Sequence, residues 1–196
     1  MGENLALDDS GNVYLQGYFQ RNIFFTLNGT QWPGNPNIGS STFNFSPFLV
    51  KLDSLGNVKW GLGWKNNTQS GFASAHDITL DRAGNVYLVG RYKDSVDFDP
   101  TSASVKMLTN TSGLNTDAFV VKLSNAGQVI DASNLGIPTI IEGSDSDAGG
   151  IYVSGTGRIQ KLNNSLGAIW LKQFIGISNT EIKVSPNGYL YVCGTF

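Results

Sequence analysis

A short phrase, Gly-Asn-Val-Tyr-Leu, occurs twice in this chain, at residues 11–15 and again at 84–88. Both copies lie inside one longer pattern, Leu-Asp-x-x-Gly-Asn-Val-Tyr-Leu-x-Gly, and weaker copies follow at residues 149–155 and 185–194. Self-similarity of this kind indicates a repeat architecture, in which each unit buries its apolar surface against its neighbours. The repeat therefore decides the architecture before any single residue is considered.

Two kinds of β-hairpin alternate along the chain. The tyrosine hairpin contains the repeated phrase, and its copies cover residues 5–18, 78–92, 140–155 and 182–196. The lysine hairpin ends its first strand in Lys-Leu, and its copies cover residues 48–60, 119–130 and 159–170. The flanking residues are largely β-branched or aromatic and alternate with polar ones, which is typical of half-buried strands.

The turns of both hairpins follow the pattern Asp/Ser/Asn-x-x-Gly. The first residue supplies a side-chain acceptor and the last supplies a glycine, which we expect at a backbone position of positive φ. A further glycine follows each tyrosine strand and is expected to end it, at a bend or a close approach of backbones: Gly17, Gly90, Gly155 and Gly194.

A tyrosine hairpin and the following lysine hairpin together give four antiparallel strands, the unit of a β-propeller. We therefore predict an all-β propeller with four-stranded blades. Blade 1 covers residues 1–64 with an insert at 21–47, and blade 2 covers 65–136 with an insert at 93–117. Blade 3 covers 137–176, and residues 177–196 form the first half of blade 4. About three and a half blades predict an incomplete ring, or one that a partner completes.

The amino-acid pattern of these repeats resembles the SBBP-type β-propeller repeat of bacterial secreted and cell-surface proteins. That pattern runs roughly Asp-x-x-Gly-Asn-x-Tyr-x-x-Gly, a loop, and Asp-Ala-Phe-x-x-Lys-Leu-x-x-x-Gly-x-x-x-Trp; residues 117–123 match its second half closely. Residues 95–100, Ser-Val-Asp-Phe-Asp-Pro, are similar to a loop phrase of Bacteroidetes versions. The resemblance implies an extracellular binding or structural module that has no catalytic residues.

Composition limits the partners. The net charge is −2 and the 13 Lys and Arg residues are scattered, whereas nucleic acid or an anionic membrane surface requires a basic patch. No stretch approaches the roughly 18 apolar residues of a membrane span. Residues 1–4 lack the features of a signal peptide, which taken alone points to the cytoplasm. The resemblance instead implies an extracellular or cell-surface location, with the signal peptide outside this segment. Exposed apolar blade edges would be covered by more of the same chain or by a homo-oligomer.

Catalytic and metal chemistry have few candidates. The single histidine, His76, is interpreted as a polar turn residue just before a strand, and one histidine with one cysteine builds neither a triad nor a zinc site. A structural calcium ion is the one cofactor considered. Solvated turn carboxylates and a glycosidase pair are the alternative interpretations of the same residues, which are Asp97, Asp99, Asp145 and Asp147.

Aromatic residues fall into two groups. Trp60 and Trp170 occupy equivalent repeat positions, so we expect them to pack between blades. Trp32, Phe43 and Phe45 lie in the first insert, outside the repeat, where they could contact a protein or a glycan. The predicted function is a non-enzymatic, extracellular binding or structural module. The alternatives are a carbohydrate-binding adhesin that uses the insert loops and a propeller-fold polysaccharide hydrolase.

Overall fold

The structure is a computed structural model. It describes residues 2–23, 26–27, 30–31, 38–64, 71–99, 105–110, 116–136 and 140–195. Side chains are described for all of these residues except 2–3, 20–45 and 179–180. In chain order the strands are β1 (Gly2–Leu7), β2 (Val13–Ile23), β3 (Thr26–Leu27), β4 (Thr30–Gln31), β5 (Ile38–Leu52), β6 (Val58–Gly63), β7 (Phe72–Leu80), β8 (Val86–Lys93), β9 (Ser95–Asp97), β10 (Met107–Thr109), β11 (Asp117–Leu123), β12 (Val129–Asn134), β13 (Ile141–Asp147), β14 (Gly150–Gly155), β15 (Arg158–Leu162), β16 (Ala168–Gln173), β17 (Ser178–Val184) and β18 (Leu190–Thr195).

These strands form the blades of a propeller. The three complete blades are four-stranded antiparallel sheets in the orders β1-β2-β5-β6, β7-β8-β11-β12 and β13-β14-β15-β16, and β17 pairs with β18. The first strands of successive blades pack on one another, β1 on β7, β7 on β13 and β13 on β17. The predicted all-β propeller class is confirmed. The turns of the tyrosine and lysine hairpins lie on one side, which we call the turn face, and the connections between second and third strands lie on the opposite side.

One carboxylate organises each of the turns that begin with Asp. Asp8 Oδ1 accepts hydrogen bonds from the backbone amides of Ser10 and Asn12, at 3.0 and 2.9 Å, and Gly11 has φ 75°. The same contacts recur at Asp53 and Asp81. The carboxylate replaces the water that these amides would otherwise bind, so the turn chemistry read from the sequence is correct here.

The third lysine hairpin departs from that prediction. Its turn covers residues 163–167, and the residue with positive φ is Leu166, at 60°, instead of the expected Gly167. Leu166 is buried among apolar residues of blades 2 and 3. Burial of the side chain holds a conformation that costs an L-residue about 1–2 kcal/mol, so packing overrides local preference at this turn.

The expectation that a glycine ends each tyrosine strand holds for β14, which ends at Gly155, and is wrong for the other three strands. β2 and β8 continue beyond Gly17 and Gly90, to residues 23 and 93, and β18 runs one residue beyond Gly194. Gly90 is needed for the close approach of another strand, since a Cβ there would lie 2.1 Å from the backbone oxygen of Ser74. That crowding coincides with a bulge in β7 between Ala75 and Asp77, and the extra residue is His76. His76 is therefore a bulge residue within a strand, and the turn interpretation is wrong.

The core lies between blades. One apolar cluster joins blade 1 to blade 2, and a second joins blade 2 to blade 3. Partly buried polar groups add specific links between the first strands. Asp77 accepts from Asn4 of blade 1 at 2.6 Å and from the backbone amide of Ser144 in blade 3 at 2.6 Å. Burial raises the pKa of Asp77 against the effect of these hydrogen bonds, and its carboxylate connects three blades.

Candidate binding surface

Each complete blade repeats a cluster of one carboxylate, one tyrosine and one lysine. The sheet register places the tyrosine directly opposite the lysine of the next strand, in the pairs Tyr14–Lys51, Tyr87–Lys122 and Tyr152–Lys161. The lysine nitrogen lies 4.5–5.2 Å from the centre of the tyrosine ring in all three. A cation over an aromatic face is stabilising, especially where water is excluded, so the repeated phrase encodes this contact.

In blade 1 the cluster also neutralises the turn carboxylate. Asp8 Oδ2 accepts from the Tyr14 hydroxyl at 3.1 Å and lies 3.5 Å from the Lys51 amine. Partial burial acts to raise the pKa of Asp8, but hydrogen bonds from Asn12, Tyr14 and Ser10 prevail and lower it to about 2. Burial and the Asp8 carboxylate raise the pKa of Tyr14. The group is therefore an ionised carboxylate with a neutral phenol at neutral pH.

The cluster in blade 3 is tighter. Lys161 Nζ lies 2.9 Å from Asp147 Oδ2 and 2.7 Å from the Tyr152 hydroxyl. Burial acts to raise the pKa of Asp147, yet the hydrogen bonds from Lys161 and Tyr152 lower it. Tyrosine beside lysine can serve proton transfer at an active site. The recurrence of the same residues in every complete blade instead identifies a structural contact.

Trp60 contacts the next blade, as predicted. Its indole Nε1 donates to the backbone oxygen of Asn125 at 2.9 Å, and an ideal Cβ on Gly127 would lie 2.7 Å from its ring. Trp170 holds the equivalent place in blade 3, where it packs edge-on against Tyr152.

Blade 2 has a different residue at this position. Asp131 lies opposite Lys122, where the other blades have tryptophan, and it forms an ion pair with Lys106 at 3.2 Å. In the turn of blade 3, Leu166 takes the place that Gly127 has in blade 2, and it is buried among apolar residues of blades 2 and 3. The junction between blades 2 and 3 therefore lacks the tryptophan–glycine contact of the first junction.

Polar grooves separate neighbouring turns on the turn face. One groove of about 340 Å³ lies between the turns of blades 1 and 2, and one of about 460 Å³ lies between the turns of blades 3 and 4. A third lies between blades 2 and 3 and includes Lys122 and Asn164. The exposed Arg82 lines all three grooves, and within the described part of the chain its guanidinium has no hydrogen-bond or ion-pair partner. Such a group is available to a ligand.

Sequence reasoning did not single out Arg82. A weak signal was present, because the two middle residues of the tyrosine-hairpin turn, the second and the third, vary among the repeats while the glycine that follows them is kept. The four residues at the second position are Asp9, Arg82, Ala148 and Pro186. A turn position that varies among repeats is not fixed by packing, and variable positions on loops of a rigid scaffold are typical of a recognition surface.

The predicted metal ligands lie in two separate places. Asp97 ends β9 in the second insert, where its Oδ1 accepts from the backbone amides of Asp99 and Lys106, both at 3.0 Å. Asp99 is buried beside it. These contacts stabilise the β9–β10 hairpin.

Asp145 and Asp147 lie in strand β13, although the sequence suggested a loop. Asp145 Oδ2 accepts from the backbone amide of Val184 in blade 4, at 2.8 Å, and its Oδ1 from Ser146 at 2.9 Å. The residues that the structure describes contain no group of three His, Cys, Asp or Glu side chains placed to hold a metal ion. Calcium binding stays a prediction.

The predicted ligand-contacting aromatics cannot be placed in the same detail. Trp32 lies outside the described residues. Phe43 and Phe45 lie in β5, but their side chains are not among those that the structure describes.

His76 has a buried Nε2 without a hydrogen-bond partner in the described structure. Burial, together with the charge of Arg91, lowers the pKa of His76.

No family model matches the chain. The chain is 26 % identical over 129 residues to an uncharacterized WD repeat-containing protein of Acanthamoeba polyphaga mimivirus. The similarity covers 64 % of this chain and 9 % of that protein, so the chain spans a small part of its relative's length. The described residues contain no helix with the length and hydropathy needed to cross a membrane. Fold and similarity together identify a β-propeller-type repeat.

Proposed function

We propose that this chain is a non-enzymatic binding module of the SBBP type, displayed outside a bacterial cell, and that its turn face binds a polypeptide with an acidic side chain. The observation that carries the proposal is the unpartnered guanidinium of Arg82 where three grooves meet. Arginine binds carboxylates through two parallel hydrogen bonds, which gives both affinity and orientation.

The chemistry of the other ionisable residues supports a binding role. The carboxylates of Asp8, Asp81 and Asp147 each accept from their own turn and from the tyrosine of their blade. Groups held in this way are occupied in the folded protein and are not poised to act on a substrate. Propellers use their faces to present loops to partners, and the relative named above carries a repeat of this architecture.

The test uses a random peptide library displayed on phage and selected on the immobilised chain. We expect the selected peptides to be enriched in Asp and Glu, and the enrichment to disappear on the R82E variant. Lys59→Glu is the matched control, because Lys59 is equally charged and exposed but lies on the outer strand β6. Identical selected pools for wild type, R82E and the control would refute the binding role of Arg82.

The extracellular location has its own test. Cys193 is the one cysteine of the chain, and it is free and exposed. A membrane-impermeant maleimide applied to intact cells of the source organism should label it at the rate seen after lysis. Labelling only after lysis would contradict the proposed location.

A further inference from the structure

The lysine of blade 2 lacks the ion pair that its counterparts in blades 1 and 3 form. Lys51 lies 3.5 Å from the carboxylate of Asp8, and Lys161 lies 2.9 Å from that of Asp147. Lys122 occupies the same sheet position and is 7 % exposed, and within the described part of the chain it forms no ion pair. Because a buried charge is costly unless it is paired, its ammonium group would be stabilised by an added anion.

The contacts of Lys122 leave hydrogen-bonding capacity unused. Its Nζ donates to the backbone oxygen of Asn164 in blade 3, at 2.9 Å, and lies 5.2 Å from the centre of the Tyr87 ring. An ammonium group has three N–H donors, and this is the one hydrogen bond to oxygen that Lys122 donates among the described residues. The turn carboxylate of the same blade, Asp81, accepts instead from Tyr87 and Asn85. Lys122 therefore keeps donor capacity for a ligand.

Lys122 lines the groove between the turns of blades 2 and 3, which we call the middle groove. This groove has a volume of about 340 Å³ and is also lined by Arg82. A guanidinium group and an ammonium group thus border one groove between two complete blades. The carboxylates that line it, those of Asp81 and Asp147, accept hydrogen bonds from the tyrosines of their own blades. A carboxylate that enters the middle groove would meet two cations in place of water.

The other two grooves suit a carboxylate less well. Among the described residues, Arg82 is the one basic residue that lines either of them. The groove between blades 1 and 2 is also lined by three carboxylates, Asp8, Asp9 and Asp81, whose charges repel an incoming anion. The middle groove is lined by two basic and two acidic residues. This balance favours a single carboxylate over a doubly charged anion such as phosphate.

We propose that the acidic side chain of the bound polypeptide enters the middle groove and pairs with both Arg82 and Lys122. This inference rests on the proposed function and adds to it the place of the side chain and a second specificity-determining residue. The guanidinium group binds both carboxylate oxygens side by side. The ammonium group of Lys122 is a compact charge with rotatable donors, so it binds one of the same oxygens from the buried side of the groove.

A peptide titration followed by NMR tests the assignment on the wild-type chain. The probe is acetyl-Gly-Glu-Gly-amide, and acetyl-Gly-Gln-Gly-amide is its neutral control. We expect the glutamate probe to shift the backbone amides of Asn85 and Asn164, which line the middle groove and neither of the other two. The amides of Ser10 and Asn187, which line the outer grooves, should stay unchanged. Shifts confined to Ser10 or Asn187, or no difference between the two probes, would overturn the inference.

Lys122→Met tests the second basic residue. Methionine keeps an aliphatic chain and removes the charge, so the glutamate probe should bind about tenfold more weakly, which corresponds to the loss of one charged hydrogen bond. Lys51→Met is the matched control, because Lys51 is equally buried but already paired with Asp8. The control should bind the probe as the wild type does. Circular dichroism checks the fold of both variants, and the amide shifts of the wild type decide the matter if either fails to fold.

The result separates this inference from the proposed function. Acidic peptides that depend on Arg82 in the phage selection, together with wild-type affinity of Lys122→Met for the glutamate probe, would retain the acidic ligand of the turn face and overturn the middle groove as its site. A selection without enrichment in Asp and Glu would overturn the proposed function, and this inference with it.

Discussion

Replacing Gly127 by alanine is expected to destabilise the junction between blades 1 and 2. Gly127 has φ 81°, and the added methyl group would lie 2.7 Å from Trp60 Cδ2 and 3.0 Å from Cε2. The positive φ costs an L-residue about 1–2 kcal/mol, and forcing a methyl group into a packed contact costs about 1–3 kcal/mol more. The free energy of unfolding should therefore fall by about 2–5 kcal/mol.

Gly56→Ala is the matched control. Gly56 occupies the same turn position in blade 1 at φ 84°, and an ideal Cβ there would meet no atom within 4 Å. Its substitution has the backbone cost alone, about 1–2 kcal/mol. The difference between the two variants isolates the contact with Trp60.

Thermal unfolding followed by circular dichroism measures that difference. Gly127→Ala should lower Tm by about 2–12 °C more than Gly56→Ala, because about 1–3 kcal/mol corresponds to such a shift in a chain of this length. The double variant with Trp60→Ala should lose less stability than the sum of the two single variants. Equal Tm values for Gly127→Ala and Gly56→Ala would refute the claim that glycine is required here by the tryptophan.

Two further predictions concern Leu166 and Asp8. Leu166→Gly should destabilise less than Leu166→Ala, by about 1 kcal/mol in urea unfolding, because glycine accepts the φ of 60° that alanine does not; the reverse order would contradict backbone strain at this turn. The pKa of Asp8 is lowered to about 2 in the folded chain, so its contribution to stability is present above the ordinary pKa near 4 and is lost as pH falls through 2. Stability measured from pH 5 to 2 should decline less steeply in Asp8→Asn than in the wild type, and parallel curves would exclude the contribution.

The features that sequence reasoning predicted well depend on short-range chemistry. The turns at Asp8 and Asp53 are built from an acceptor, a glycine and an asparagine within five residues, so the pattern contains the whole interaction. The interblade role of Trp60 was also predictable, because its repeat position implied a shared function. The propeller class followed from the repeat and required no knowledge of distant contacts.

The features that it missed depend on contacts between residues far apart in sequence. The bulge of β7 at His76 brings the backbone of β7 close to β8, and Gly90 in β8 leaves room for it because glycine has no Cβ. Leu166 takes a positive φ because residues of blade 2 bury its side chain. Neither arrangement leaves a local pattern, since each is decided by the space that another segment occupies.

The candidate site was also hard to predict where it depends on residues that are distant in sequence. Arg82 has an ordinary sequence environment, and only the meeting of three grooves distinguishes it. Asp145 was predicted as a loop carboxylate, whereas its hydrogen bond to Val184 joins two blades. The variation of the two middle turn positions among the repeats was visible in the sequence, but only the structure shows that Arg82 lines the grooves between those turns.

The contact between Trp60 and Gly127 has a consequence for how such chains lengthen. A second copy of blade 2 placed after the first would set Asp131 where the turn of Gly127 meets tryptophan at the first junction, so the new junction would lack the indole contact. Duplication of a blade therefore copies its own sheet intact but does not copy the contact with its neighbour, which needs matching residues on both sides of the junction.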